Sequence, residues 1–237
     1  AGGESTNQLF ETDIEGTRTL VQAAGEAGVQ QIIYLSHLGA DRASAFPVLK
    51  AKGIAEEHIR NGKVNYTILR SSIIFGPGDN FTESLAHLVR IAPGVVFLPS
   101  KGEVRLQPLF VEDLVTSLLW SLGNPEFENE MREIGGSEYF TLHQIIEIIL
   151  SATGKKRLIL PASTPILRVL NVLLQAFFPK YPVSGFFLDY LATDRTCETD
   201  SLPRIFGLMP ARFTYRLDYL RRKSWLTKLR KASRRKA

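Results

Sequence analysis

Between residues 30 and 76 the chain reads strand, helix, strand, and no other stretch limits its fold as tightly. "QQIIYLS" (30–36) is a short apolar run that ends in a loop, the pattern of a buried strand. "FPVLKAKGIAEEHIRNG" (46–62) carries helical periodicity and stops at Asn61-Gly62. "VNYTILRSSIIFG" (64–76) is strand, then loop. A strand, a helix and a second strand in succession make a βαβ unit with parallel strands. The chain is therefore expected to be an α/β protein.

The flanking segments extend this pattern. Leu9, Phe10, Ile14, Leu20, Val21 and Ala24 predict a helix over 7–27, with Gly28 as its stop. Gly16 inside it costs about 1 kcal/mol relative to Ala, which suggests that another backbone comes close there. Further helices are predicted at 82–92 and 141–156. A short strand leading into a helix is predicted at 107–122, and strands at 132–136 and 157–161. The 141–156 helix is the best marked: Thr141 and Gln144 form a capping box and Gly154 ends it.

The chain has 237 residues, enough for one sizeable core or for one domain with a smaller lobe. Its net charge of +5 misleads. Residues 221–237, "RRKSWLTKLRKASRRKA", hold nine Lys and Arg and no acid, and the first 220 residues hold 20 basic against 24 acidic. The body is mildly acidic and the tail strongly basic, so the charge does not point to a body that binds nucleic acid specifically. One cysteine, Cys197, excludes an internal disulfide. The four histidines lack metal-ligand spacing, and no metal is expected. No signal peptide or 18-residue apolar run is present. The start "AGGESTNQLF" reads as the inside of a loop, so the expectation is a fragment that lacks its natural N-terminus.

Residues 165–178, "PILRVLNVLLQAFF", are apolar except for a stripe of Arg168, Asn171 and Gln175. As a helix they reach about 21 Å, too short for a bilayer core of about 30 Å. Two readings are open: a helix buried on most sides, or one lying on a membrane surface or under a partner. The basic tail is open to a solvated end, an anionic lipid patch or nonspecific nucleic-acid binding; Trp225 and Leu226 among its charges favour lipid over nucleic acid.

Four stretches in order resemble the later half of an extended or atypical short-chain dehydrogenase/reductase. They are "ETDIEGTRTLVQAAGEAGVQQIIYLSHLGA", "KAKGIAEEHIRNGKVNYTILRSSIIFGPGD", "LQPLFVEDLV" and "REIGGSEYFTLHQII". With the C-terminal run "LATDRTCETDSLPRIFGLMPARF", they are most similar to the branch formed by the nucleotide-binding accessory subunit of respiratory complex I and its bacterial relatives. The resemblance implies the C-terminal part of a Rossmann-like doubly wound parallel sheet with a smaller α/β C-terminal lobe. It divides the chain into a partial NAD(P)-binding domain (1–106), a mixed lobe that returns partly to the core (107–220) and the tail. The glycine-rich pyrophosphate turn G-x-x-G-x-x-G is absent, which reads as truncation of the adenine side.

In that family a Ser, a Tyr and a Lys surround the nicotinamide, with Tyr and Lys one helical turn apart. The resemblance places the serine at Ser36 and the lysine at Lys52. Four residues before Lys52 stands Val48, and an alternative register pairs Phe46 with Lys50. Neither valine nor phenylalanine moves a proton, so the general acid is missing in both registers. Tyr34 shares a strand with Ser36 but is expected to be buried. His37 is open to a role as a group titrating near neutrality or as a solvated loop residue. Asp13 stands where the family often has Asn. Arg70, Ser71, Ser72 and Ile73 occupy the loop that passes the nicotinamide, and for Arg70 a salt bridge is an equal reading.

The resemblance implies an NAD(P)(H)-binding protein, accessory or weakly catalytic, with NADP or NAD as cofactor. The alternatives are an active reductase or epimerase with a substituted acid, and a membrane-surface or partner-binding module on the same scaffold. Its partners would be the dinucleotide and, through 165–178 and the tail, a membrane surface or a protein. The expected location is the cytoplasm, with peripheral membrane attachment as a further option.

Overall fold

The computed structural model describes residues 10–169, 191 and 193–221. A π-helical turn, Glu11–Gly16, runs into helix α1 (Thr17–Glu26), then strand β1 (Gln31–His37), helix α2 (Pro47–Arg60) and strand β2 (Asn65–Ser71). β1 and β2 pair in parallel over seven residues, from Gln31 opposite Asn65 to His37 opposite Ser71. Strand β7 (Glu130–Ile134) adds to the other edge of β2, also parallel, to give the order β1-β2-β7. The βαβ unit legible in residues 30–76 is therefore real. β1 and β2 end side by side, so Ser36 and the loop after Ser71 meet at one end of the sheet.

Short strands β3 (Ile74–Phe75) and β6 (Leu109–Phe110) pair in parallel and lead into helix α4 (Val111–Ser121). Helix α3 (Thr82–Ile91) is followed by β4 (Val95–Pro99), which pairs in parallel with β9 (Leu158–Ala162). β5 (Arg105–Leu106) and β8 (Phe140–Thr141) form an antiparallel pair before helix α5 (Leu142–Thr153). The pairing interleaves the two sequence units. β4, from the first unit, joins β9 of the second, while β7, from the second, completes the first unit's sheet.

The start of α5 carries the predicted capping box. Thr141 Oγ1 accepts from Gln144 N–H at 3.2 Å, and Gln144 Oε1 accepts from Thr141 N–H at 2.8 Å. Gly154 ends the helix at φ 65°, a left-handed conformation that favours glycine. α5 buries Ile145, Ile146 and Ile149 against Leu85 and Val89 of α3. Phe75 and Phe213 meet edge to face within the same core, their ring centroids 4.9 Å apart. A second core gathers Leu69, Leu114 and Ile134, and is closed by helix α6 (Ser201–Phe206), where Phe206 stacks on Phe127 at 5.0 Å.

Gly16 does not serve a close approach: the nearest atom to a Cβ there would be Glu11 O, at 3.8 Å. It instead closes the π-helical turn. The predicted helix over 165–178 is helical at 164–169, and the rest lies outside the described residues, as do 7–9 of the first helix and 222–237 of the tail. Among the described residues no helix is long and apolar enough to cross a membrane.

Candidate functional site

Ser36 is the penultimate residue of β1 and is fully buried. Its Oγ has no hydrogen-bond partner among the described residues. Strand periodicity puts Tyr34 on the same face, two residues earlier. The Tyr34 hydroxyl is likewise buried, and the side chain it interacts with is Lys52. A buried hydroxyl such as that of Ser36, left unsatisfied, is costly unless something else binds it.

Lys52 projects from α2 onto this face. Its Nζ stands 5.2 Å from the Tyr34 ring centroid and donates to Asp13 Oδ1 at 3.3 Å. Asp13 comes from the π-helical turn, so the wide helical turn delivers a carboxylate to the lysine. Lys50 is exposed, and of the two candidate lysines Lys52 is the one that reaches this cluster. Val48 occupies the position one turn before Lys52 on α2, so that helix offers no acid there.

Tyr34, Lys52 and His37 do not supply one that titrates near neutrality. Burial pushes the Tyr34 phenol above its ordinary value, outweighing the nearby Lys52 charge. Burial works against the Lys52 ammonium, but Tyr34 and Asp13 overcome it and hold the lysine charged. His37 is not a solvated loop residue. Burial, Lys52 and Arg195 together push it down to about 4, against the pull of Asp13. At pH 7 it is neutral and cannot serve as an imidazolium acid. Arg195 was not legible as part of this site, since it lies some 140 residues further along with no local motif. It is almost wholly buried and donates to Leu38 O at 2.8 Å, directly after the strand.

A pH dependence follows. The unfolded chain protonates His37 near 6.5 and the folded chain near 4, so in that window the unfolded state binds more protons. Stability is full above pH 6.5 and is lost as pH falls through 4, by roughly 3 kcal/mol from this residue. Urea midpoints at pH 7 and pH 4.5 should differ less in His37→Gln than in the unsubstituted protein. An equal difference would show that His37 does not contribute.

The loop after β2 spends its side chains on the fold. Arg70 donates from Nε and Nη2 to the two carboxylate oxygens of Glu56, at 2.9 and 2.6 Å, and from Nη2 to Ala40 O at 3.0 Å. Ser71 Oγ donates to Ser36 O at 3.3 Å, and Ser72 Oγ donates to Gln107 O. Ile73 packs into the core. These four side chains, read from the sequence as cofactor contacts, are thus engaged within the protein. Gln107 was missed as an organiser. Buried behind this loop, it donates to Gly136 O at 2.6 Å and accepts from Cys197 N–H at 2.8 Å. Among the described residues no group of three or more His, Cys, Asp or Glu is placed to hold a metal ion.

Residues 1–80, which contain Asp13, Ser36 and Lys52, match the NAD(P)H-binding family model. Over 156 residues the chain is 28% identical to subunit 9 of the NADH dehydrogenase [ubiquinone] 1 alpha subcomplex of Dictyostelium discoideum, covering 65% of this chain and 43% of that protein. Over 224 residues it is 26% identical to the ceramide reductase of Caulobacter vibrioides, covering 90% of this chain and 69% of that one. Its fold matches the triphenylmethane reductase of Citrobacter sp., solved with NADP(H), at a TM-score of 0.66 and 18% identity, over 92% of this chain and 81% of that one. Residues 1–80 thus carry an NAD(P)H-binding match, and the fold is that of a reductase solved with its dinucleotide. The chain spans less than half the length of the dehydrogenase subunits it matches. The structure places Ser36 near the end of β1 and Lys52 on α2, pairs that lysine with Asp13, and has Val48 one helical turn before it.

Proposed function

We propose that the protein binds NAD(P)(H) beside Ser36 and Lys52 and turns over little or not at all, acting as an accessory subunit of a larger assembly at a membrane. One observation carries this reading. Three groups of the cluster stay in one protonation state at neutral pH: Tyr34 and His37 neutral, Lys52 charged. General acid–base catalysis works best with a group whose pKa lies near the operating pH.

The residues present fit a dinucleotide. The Ser36 hydroxyl is buried and unsatisfied, Lys52 supplies a cation against Tyr34 on the same face, and ribose hydroxyls or a carboxamide offer the acceptors and donors that Ser36 lacks. A bound nicotinamide supplies hydride chemistry. The chain's own residues supply hydrogen bonds, a positive charge and exclusion of water. In this proposal residues 1–106 form the nucleotide side, and 107–220 a lobe that returns to the core.

A second reading, a working reductase, is favoured by the likeness to ceramide reductase across nine-tenths of the chain. One experiment separates the two. The product of the complete reading frame is titrated with NADPH and NADH by fluorescence, and then assayed on a panel of carbonyl substrates. The expected result is saturable binding that Lys52→Met weakens by about tenfold, one charged hydrogen bond's worth, without turnover. Normal turnover that Lys52→Met abolishes would establish the reductase, and absence of binding would remove both readings.

A further inference from the structure

The pairing of β4 with β9 makes a small parallel sheet whose two faces differ in an unusual way. Val96 and Leu98 point inward, to the core under α3 and α5. The alternate positions, Val95 and Phe97 on β4 and Leu158 and Leu160 on β9, lie opposite one another in register and point outward. An outward face normally carries polar residues. Here all four are apolar; Leu158 is 60% exposed and Phe97 47%. The chain then enters the helical turns at 164–169, where Ile166 and Val169 are also more than 60% exposed.

The chain that leads into and out of β9 carries charge of one sign. Residues 148–169 contain no carboxylate and four basic side chains, Lys155, Lys156, Arg157 and Arg168. Lys155 and Lys156 are exposed directly before β9. A flat apolar surface rimmed by cations suits an interface that offers hydrocarbon beneath negative charge. A second copy of this chain would bring the two basic rims together, which opposes self-association.

We propose that the outer face of the β4–β9 sheet, with Lys155 and Lys156 at its rim, docks on an anionic lipid bilayer surface. Phe97, Leu158 and Leu160 enter the headgroup boundary and the lysines meet lipid phosphates. The proposal is independent of the cofactor reading, and it rests on the β4–β9 face with Lys155 and Lys156 rather than on the basic tail 221–237.

The test is co-sedimentation of the complete reading frame with phosphatidylcholine vesicles containing about 30% phosphatidylglycerol, and with phosphatidylcholine alone. The unsubstituted protein should pellet with the anionic vesicles only. Leu158→Ser/Leu160→Ser and Lys155→Glu/Lys156→Glu should each weaken this by about tenfold or more. All four side chains are exposed, and unchanged circular dichroism would confirm that the variants fold. Binding that survives both variants but disappears on deletion of 221–237 would overturn the proposal in favour of the tail alone. Failure of the unsubstituted protein to bind would overturn it outright. A dimer that dissociates in Leu158→Ser/Leu160→Ser, without vesicle binding, would replace the lipid by a second copy.

Discussion

Glu56→Ala should destabilise the protein by about 3–5 kcal/mol, the range for removing one partner of a buried ion pair. Glu56 is 1% exposed and both its carboxylate oxygens are taken by Arg70, at 2.9 and 2.6 Å. Truncation leaves the guanidinium with the Ala40 carbonyl at 3.0 Å and the half-exposed Glu133 carboxylate at 3.9 Å, neither of which replaces a bidentate partner. The pair also joins three elements: Glu56 lies on α2, Arg70 on β2, and Ala40 follows β1. Lys52 sits one turn before Glu56 on the same helix, so the loss should also loosen the cluster around Ser36. Urea unfolding should show a lower midpoint at unchanged slope. Adding Arg70→Met should restore part of the loss, because it removes the guanidinium left without its carboxylate. If Glu56→Ala changes stability by less than about 1 kcal/mol, the pair behaves as a surface salt bridge and does not brace the site.

Much of the fold was legible because local chemistry and tertiary packing agree. The α5 capping box, the glycine that ends it and the apolar stripe it buries are all local signals, and the structure keeps all three. The β1–α2–β2 unit was legible for the same reason. Strand β4 was not. "VVFLP" follows a turn and has no partner within sixty residues, and its outward positions are apolar, so period two is hidden. Of the candidate site, Ser36 and Lys52 were read from the order of motifs along the chain, and both lie near the end of β1. Which groups join them depends on side-chain reach across elements. Asp13 reaches Lys52 through a π-helical turn, Arg195 arrives from the far end of the chain, and His37 loses its neutral-range titration to burial and two cations. No periodicity encodes any of these.

Two glycines should respond with opposite signs to the same substitution. Gly53 follows Lys52 on α2 and is buried against the loop after β1. A Cβ there would lie 2.4 Å from Arg42 N and 2.5 Å from Asp41 C, both backbone atoms. That loop is itself pinned to the helix, since Asp41 N–H donates to Leu49 O at 3.2 Å and Arg42 pairs with Glu57 at 2.7 Å. The intruding methyl cannot be met by rotating a side chain, so loop and helix must separate. Gly53→Ala should therefore cost about 1–3 kcal/mol from overpacking, even after the helix-propensity gain of about 1 kcal/mol. Because Lys52 is the adjacent residue, the same shift should weaken nucleotide binding. Gly16 has helical φ and ψ, is exposed, and has nothing nearer than 3.8 Å to an added Cβ. Gly16→Ala should stabilise by about 0.5–1 kcal/mol. Parallel urea titrations of the two variants read the difference directly. If Gly53→Ala is neutral or stabilising, then α2 is not held against the 41–42 backbone, and the placement of Lys52 has to be set by Asp13 and Tyr34 alone.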